Sequence, residues 1–268
     1  MNYLLSLGCS WTDPNYFSFQ HPDLDCSWDK WPNHIAQALN VPVVNKGRSG
    51  SSNQYAFKEL LNAALSDNPP SHIIWQLTDW SRIQLADRRL MPCKRLDACV
   101  YDGIHRKQSA EYLMGLHSIP LALDGPIPII NNTLYYIQKA IVLCRRLDIV
   151  LHIFQSDVSI WPFEENYFRS YLKELEKDNP TVYKIYYDMI DGRLENLFLT
   201  QKLIKSVLDL QLFKHIDSLT PSEVYGWPLW LEFGGKRILA NSSISEEDTH
   251  PDAQGQKNIA DGILKWIE

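Results

Sequence analysis

The sequence predicts an α/β fold: a doubly wound (flavodoxin-like) three-layer sandwich with a mainly parallel five-stranded sheet, strand order 2-1-3-4-5, and long insertions at its rim. Three features carry this expectation. Short apolar runs recur along the chain, segments of helical spacing lie between them, and residues such as Gly, Pro and Asn mark the junctions. A strand covered by helices on both faces has no polar side to show, so an unbroken apolar run points to a buried parallel sheet.

Tyr3–Leu7 is the first such run, ended by Gly8. Trp31–Leu39 has helical spacing with Pro32 near its start, where a missing N–H costs nothing. Val41–Val44 is the second strand and runs into Asn45-Lys46-Gly47. Asn53–Leu65 reads as a helix, broken by the Asp67–Ser71 stretch, and His72–Leu77 as the third strand. Asn132–Leu147 is a helix closed by Arg145 and Arg146, favourable charges at a helix C-terminus. Ile149–Phe154 is the fourth strand, and Asp252–Ile267 a terminal amphipathic helix. Residues 83–130 read as irregular; residues 163–240 hold helical segments around Ile185–His215 and an aromatic stretch, Tyr225–Phe233. Connections this long are usually functional. The expectation is therefore one domain over 1–268, with insertions at about 83–130 and 163–240 forming a lid.

Of the 268 residues, 45% are hydrophobic and 22% charged, enough for a substantial core. A net charge of −6 argues against nucleic acid or an anionic membrane as the partner and suits a neutral substrate better. The five cysteines form no C-x-x-C pair, so buried thiols are expected, with neither a disulfide framework nor a zinc site. Met1–Cys9 lacks a basic n-region and a lipobox, and no stretch has the ~20 apolar residues of a membrane span. A cytoplasmic location is the resulting expectation, or a virion-associated one for a phage protein.

Four junctions carry candidate chemistry. Gly8-Cys9-Ser10-Trp11-Thr12 comes after the first strand, where a Gly-permitted turn can lift the Ser10 hydroxyl to the rim; alone, such a serine is more often a helix cap. Asp248-Thr249-His250-Pro251 opens the last helix and holds both a base and a carboxylate to orient it, though Asp248 or Thr249 could equally cap that helix. The segment from Asn45 to Asn53 contains Gly47 and Gly50, and a Gly-rich turn before a helix offers backbone N–H groups to a developing oxyanion. It is also an ordinary strand–helix connection, and it lacks the Gly-Lys-Ser/Thr ending of a phosphate loop. After the third strand, Thr78 can donate a hydroxyl and Arg82 can bind an acidic group, while Thr78 or Asp79 can cap the next segment. No Gly-x-Ser-x-Gly elbow, zinc-protease His pair or dinucleotide Gly-x-Gly-x-x-Gly occurs.

The order of the blocks resembles the SGNH (GDSL-like) serine hydrolase superfamily, in a divergent branch like that of phage and environmental genomes. The resemblance covers both ends and the first third of the chain. It implies an ester hydrolase working through an acyl-enzyme, with Ser10 as nucleophile, His250 as base and no cofactor or metal. The oxyanion hole would then comprise the N–H groups of Ser10 and Gly50, Gly50 matching better than Gly47, together with Thr78. Substrate contacts fall to Trp11, Asn53 and Arg82. Cys9 replaces the family's Asp, and Thr78 its oxyanion Asn, a shorter donor. The usual acid lies three residues before the His, where Glu247 stands; Asp248, two before, is favoured here. Nine tryptophans are a high count, and Trp11, Trp28 and Trp80 adjoin the blocks; aromatic platforms for a sugar are one role, and core or lid packing is the commoner one for any single tryptophan. A glycan or small O-acyl ester is the expected substrate, a sugar O-acyltransferase using the same residues the enzymatic alternative, and a degenerate binding or structural module the non-enzymatic one.

Overall fold

The computed structural model describes residues 2–78, 83–85, 88–90, 127–155, 209–225 and 240–267. Its elements are β1 (Leu4–Leu7), α1 (Trp31–Ala38), β2 (Val43–Asn45), α2 (Asn53–Ala64), β3 (His72–Leu77), β4 (Ile83–Leu85), β5 (Arg88–Leu90), α3 (Ile127–Arg146), β6 (Val150–Gln155), α4 (Gln211–Ser218) and α5 (Ala253–Ile267). A parallel sheet runs in the order β2-β1-β3-β6, with Leu4 opposite both Val43 and His72, and His72 opposite Val150. This is the expected α/β, doubly wound parallel arrangement.

Strand geometry explains why these runs are mostly apolar. Successive side chains alternate between faces, and both faces here are covered. Leu5, Leu7, Ile73 and Trp75 join one buried cluster with Leu60 of α2, Ile137 of α3 and Ile216 of α4. Leu4, Ile74 and Phe154 join a second with Trp31 and Ile35 of α1 and Ile259 and Ile263 of α5. Three layers result: α2, α3 and α4, then the sheet, then α1 and α5. Because β2 and β3 flank β1 on opposite sides, the strand order reverses at β1, and the rim beyond its carboxyl end is the crevice such sheets offer to a ligand.

The structure differs from the sequence reading at three places. The described residues form four strands in the main sheet where five were expected. In the fifth position Val224 makes a single parallel bridge to Ile153, held by Ile153 N–H to Glu223 O at 2.7 Å and Tyr225 N–H to Ile153 O at 2.9 Å. The Val224 N–H, on the side away from β6, donates to Pro221 O at 3.2 Å. Within the stretch read as irregular, β4 and β5 pair antiparallel, a hairpin of three residues a side. Helix α3 starts at Ile127 and not Asn132, since Pro128 in a first turn removes an N–H that has no intrahelical partner anyway.

Among the described residues, Cys9, Cys26 and Cys144 are buried and in no disulfide, no group of three or more His, Cys, Asp or Glu could hold a metal ion, and no helix is long and apolar enough to cross a membrane.

One buried group sets an acid limit on this fold. His152 of β6 lies edge-on to Trp266 of α5, ring centroids 4.9 Å apart, and neither ring nitrogen has a hydrogen-bond partner among the described residues. Burial, reinforced by nearby His72, lowers its pKa from the ordinary 6.5 to about 4. The folded state thus keeps it neutral while the unfolded chain takes up a proton, so stability is full above pH 6.5 and lost as pH falls towards 4. The loss amounts to roughly 3 kcal/mol. Urea unfolding of wild type and His152→Phe at pH 7 and pH 4.5 should show a smaller acid loss in the variant; equal losses would remove His152 from the account.

Candidate active site

Three strand ends are fastened together before any reactive group is placed. After β1 the chain turns sharply, with Thr12 N–H and Asp13 N–H both donating to Cys9 O at 2.9 and 3.0 Å. Thr12 is thereby buried beneath the rim. Its hydroxyl donates to Gln76 Oε1 of β3 and accepts from Trp31 Nε1 of α1 at 3.2 Å, while its carbonyl accepts from Asn45 Nδ2 of β2 at 2.7 Å. Glycine is required where backbone passes this hub: a Cβ on Gly8 would lie 2.2 Å from Thr12 Oγ1, and one on Gly47 would lie 2.5 Å from the Thr12 carbonyl carbon.

This turn lifts Ser10 to the rim, and its hydroxyl meets His250, with Oγ 2.8 Å from Nε2. On the other side of the ring, Nδ1 lies 2.6 Å from Asp248 Oδ1. The loop carrying both residues is tied to itself: Ile244 N–H donates to His250 O at 2.9 Å, Asp248 N–H to Ser245 Oγ at 2.9 Å and His250 N–H to Asp248 Oδ1 at 3.1 Å. Asp248 does not cap α5. That role belongs to Asp252, whose Oδ1 accepts from Gly255 N–H at 2.7 Å. Ser10 caps no helix either, since α1 starts only at Trp31. Glu247, at the family's usual acid position, is exposed, and its backbone N–H donates to Ser245 Oγ at 3.2 Å.

Asp248 is 2% exposed, and a buried carboxylate must be fully hydrogen-bonded to stay charged. Its Oδ2 accepts from Tyr16 OH at 2.8 Å and from Ser18 Oγ at 2.5 Å. Burial alone would push its pKa up; the bonds from Ser18, His250 and Tyr16 outweigh burial and hold the carboxyl below its ordinary range. Burial and the adjoining carboxylate push the Tyr16 phenol far up, so it stays a donor. The Tyr16 ring also stacks on His250, centroids 4.3 Å apart and planes 26° from parallel.

The second and third blocks arrive at the same rim. Gly50 is buried with φ at +72°, a left-handed turn that glycine adopts without penalty. Ser52 then caps α2 by accepting from Tyr55 N–H at 3.2 Å. This loop lies against the Ser10 turn, because Ser51 Oγ and Arg48 N–H both donate to Gly8 O, at 2.7 and 3.1 Å. At the end of β3, Thr78 is buried and its hydroxyl has no hydrogen-bond partner among the described residues.

Two residues read as substrate contacts have other surroundings. The Asn53 side chain is engaged by the Thr78 peptide, Oδ1 accepting from Thr78 N–H at 2.9 Å and Nδ2 donating to Thr78 O at 3.0 Å, so Asn53 stands behind the rim. Trp11 is buried in the cluster against α1 and α5, its ring 6.2 Å from His250, and offers no open platform. Arg82 and Trp80 lie outside the described residues.

Sequence reasoning missed Thr12, Gln76, Tyr16 and Ser18. Gln76 left a signal, a lone amide in an otherwise apolar strand, which in a buried sheet must have a partner. Tyr16 and Ser18 left none, because their partner lies 232 and 230 residues away.

No family model matches the chain, and no curated protein does. Among solved structures it is similar to a member of the lipolytic protein G-D-S-L family from Veillonella parvula, at 13% identity and TM-score 0.40, covering 99% of this chain and 97% of that one. It is also similar to a psychrotrophic esterase from Pseudoalteromonas sp., in a structure inhibited by monoethylphosphonate, at 13% identity and TM-score 0.44, covering 100% and 97%. Likenesses at this level bear on neither activity nor substrate.

The Asn53–Thr78 pair yields a stability test. Asn53→Ala strands a buried N–H and a buried C=O, each costing about 1–3 kcal/mol. Denaturant unfolding should show a loss of about 2 kcal/mol or more, and a variant as stable as wild type would mean that the pair holds nothing in place.

Proposed function

We propose that the protein is a serine ester hydrolase with Ser10 as nucleophile, His250 as general base and Asp248 as the orienting acid. One observation carries the reading: an unbroken hydrogen-bonded line from Ser10 Oγ through the imidazole to a buried carboxylate, at 2.8 and 2.6 Å. A serine hydroxyl is a poor nucleophile until a base takes its proton, and the base works only in the right tautomer and orientation. The Asp248 carboxylate, kept ionised by its donors, favours the tautomer with hydrogen on Nδ1 and leaves Nε2 free to accept from Ser10.

In this mechanism Ser10 Oγ attacks the carbonyl carbon of an O-acyl ester while its proton passes to His250 Nε2. Negative charge develops on the carbonyl oxygen and is met by the N–H groups of Ser10 and Gly50 and by the Thr78 hydroxyl, whose lack of another partner among the described residues supports this role. Collapse breaks the C–O bond, His250 returns the proton to the departing alcohol, and an acyl-Ser10 ester remains. Water then repeats the sequence from the other side and releases the acid. The substrate class we propose is an O-acyl ester of a glycan or other small alcohol.

A fluorophosphonate probe should label wild type at Ser10 and leave Ser10→Ala unmodified, and only wild type should turn over p-nitrophenyl acetate. Asp248→Asn should lower kcat by as much as ~10⁴-fold while Glu247→Gln stays near wild type, since Asp248 is the carboxylate that meets the ring. A protein that neither takes the probe nor hydrolyses short acyl esters is the binding module instead.

Thr78→Val keeps the buried shape and removes the donor. With p-nitrophenyl acetate it should lower kcat by roughly 10-fold or more, because a donor aimed at charge found only in the transition state acts on kcat. Wild-type turnover in this variant would leave the oxyanion to backbone N–H groups alone.

A further inference from the structure

The loop between β1 and α1 reaches over the candidate site with an alternating pattern. Tyr16 and Ser18 turn inward to Asp248, while Phe17 and Phe19 are exposed and touch each other, ring centroids 4.4 Å apart. Tyr16 is held there by a turn, its N–H donating to Asp13 O at 3.2 Å. The Asp13 carboxylate in turn accepts from Ser49 N–H at 2.7 Å and Ser49 Oγ at 2.6 Å, one residue before Gly50. Tyr16 is thus fixed to the same frame as the two loops that carry Ser10 and Gly50.

We infer that Tyr16 is a positioning residue of this site, locking the His250 ring and the Asp248 carboxylate in one arrangement through two contacts of different kinds. The inference rests on the esterase reading above and extends it. Rotation of the imidazole about its Cβ–Cγ bond would break the bonds to Ser10 and to Asp248 together, and the stacked tyrosine face, 4.3 Å away, obstructs that rotation. The phenol OH then fixes the carboxylate from its far oxygen. Oδ1 is occupied by the His250 ring and the His250 N–H, and Oδ2 by Tyr16 and Ser18, so four donors hold Asp248 against turning. A second effect arises only during reaction: when His250 takes the Ser10 proton, the tyrosine face lies against an imidazolium, a favourable cation–π arrangement. Among the described residues, the other titratable groups around this cluster are Cys26, which raises the Tyr16 pKa, and His21, whose Nε2 lies 2.8 Å from Ser245 Oγ and whose backbone N–H donates to Ser18 Oγ at 3.0 Å.

The two contacts are separable by substitution. Tyr16→Phe keeps the stacked face and removes the OH donor; Asp248 becomes a stronger acceptor for the His250 Nδ1–H, so the acid limb of kcat/KM moves to higher pH, by roughly half a unit. Its kcat falls by up to about 10-fold. Tyr16→Leu removes both contacts and should lower kcat by about 100-fold, with KM within about 3-fold of wild type, because orientation is lost and ground-state binding is kept. Rates of fluorophosphonate labelling at Ser10 should fall in the same order, and NMR titration of the His250 ring should show the upward shift in Tyr16→Phe without any turnover. If wild type is labelled and both variants match it in rate and pH profile, the inference is overturned and the esterase reading stands. It is overturned also if Tyr16→Leu loses stability, kcat and KM together while the acid limb of Tyr16→Phe does not move, for that is a merely structural tyrosine. Wild type that takes no probe sinks the esterase reading, and this inference with it.

Discussion

The burial of Thr12 is the constraint on which the rest depends. Its hydroxyl and carbonyl are shared among β2, β3 and α1, and each shared bond removes a freedom from one strand end. The cost is steric: two neighbouring backbones approach so closely that Gly8 and Gly47 tolerate no side chain. Three loops are thereby set at fixed heights above the sheet before any reactive group contributes. A site built on such ends is more exact than one built on free loops, which matters when reactive atoms must meet within a few tenths of an ångström.

The fourth loop is held differently. The segment around Asp248 and His250 joins the others through charge and aromatic contact. A buried carboxylate stays ionised only while donors surround it, and Tyr16 and Ser18 supply two of the four that Asp248 has. The same bonds that make burial tolerable also fix the imidazole. Asp252 takes over the capping of α5, which leaves Asp248 for the ring.

Much of this was legible in the residues. The runs at Tyr3–Leu7 and His72–Leu77 have the mainly apolar character that two covered faces impose, and the strands found there differ from the expected spans by one residue at most. Ser10, Asp248 and His250 were visible as residue types at strand and helix junctions. Their partners were harder to read. Asn53 looked like a substrate ligand because an amide at a helix start can face a pocket; nothing local shows that a peptide 25 residues later takes both its groups. Trp11 was read as a substrate contact because it adjoins Ser10, yet its neighbours α1 and α5 bury it, the packing role that is commoner for a tryptophan. Local pattern reports how a segment is covered, whereas pairing across the sequence depends on the assembled fold.

Ser10 and His250 stand 240 residues apart, and the bond between them spans nearly the entire sequence. During synthesis Ser10, Tyr16, Gly50 and Thr78 all leave the ribosome long before the base that would arm the serine. Chain emerges at about 5–20 residues per second, so this interval lasts on the order of ten seconds or more. Throughout it the rim lacks the imidazole that meets the Ser10 hydroxyl in the finished fold. Docking of α5 thus does two things at once: it closes the second core cluster and brings His250 to Ser10.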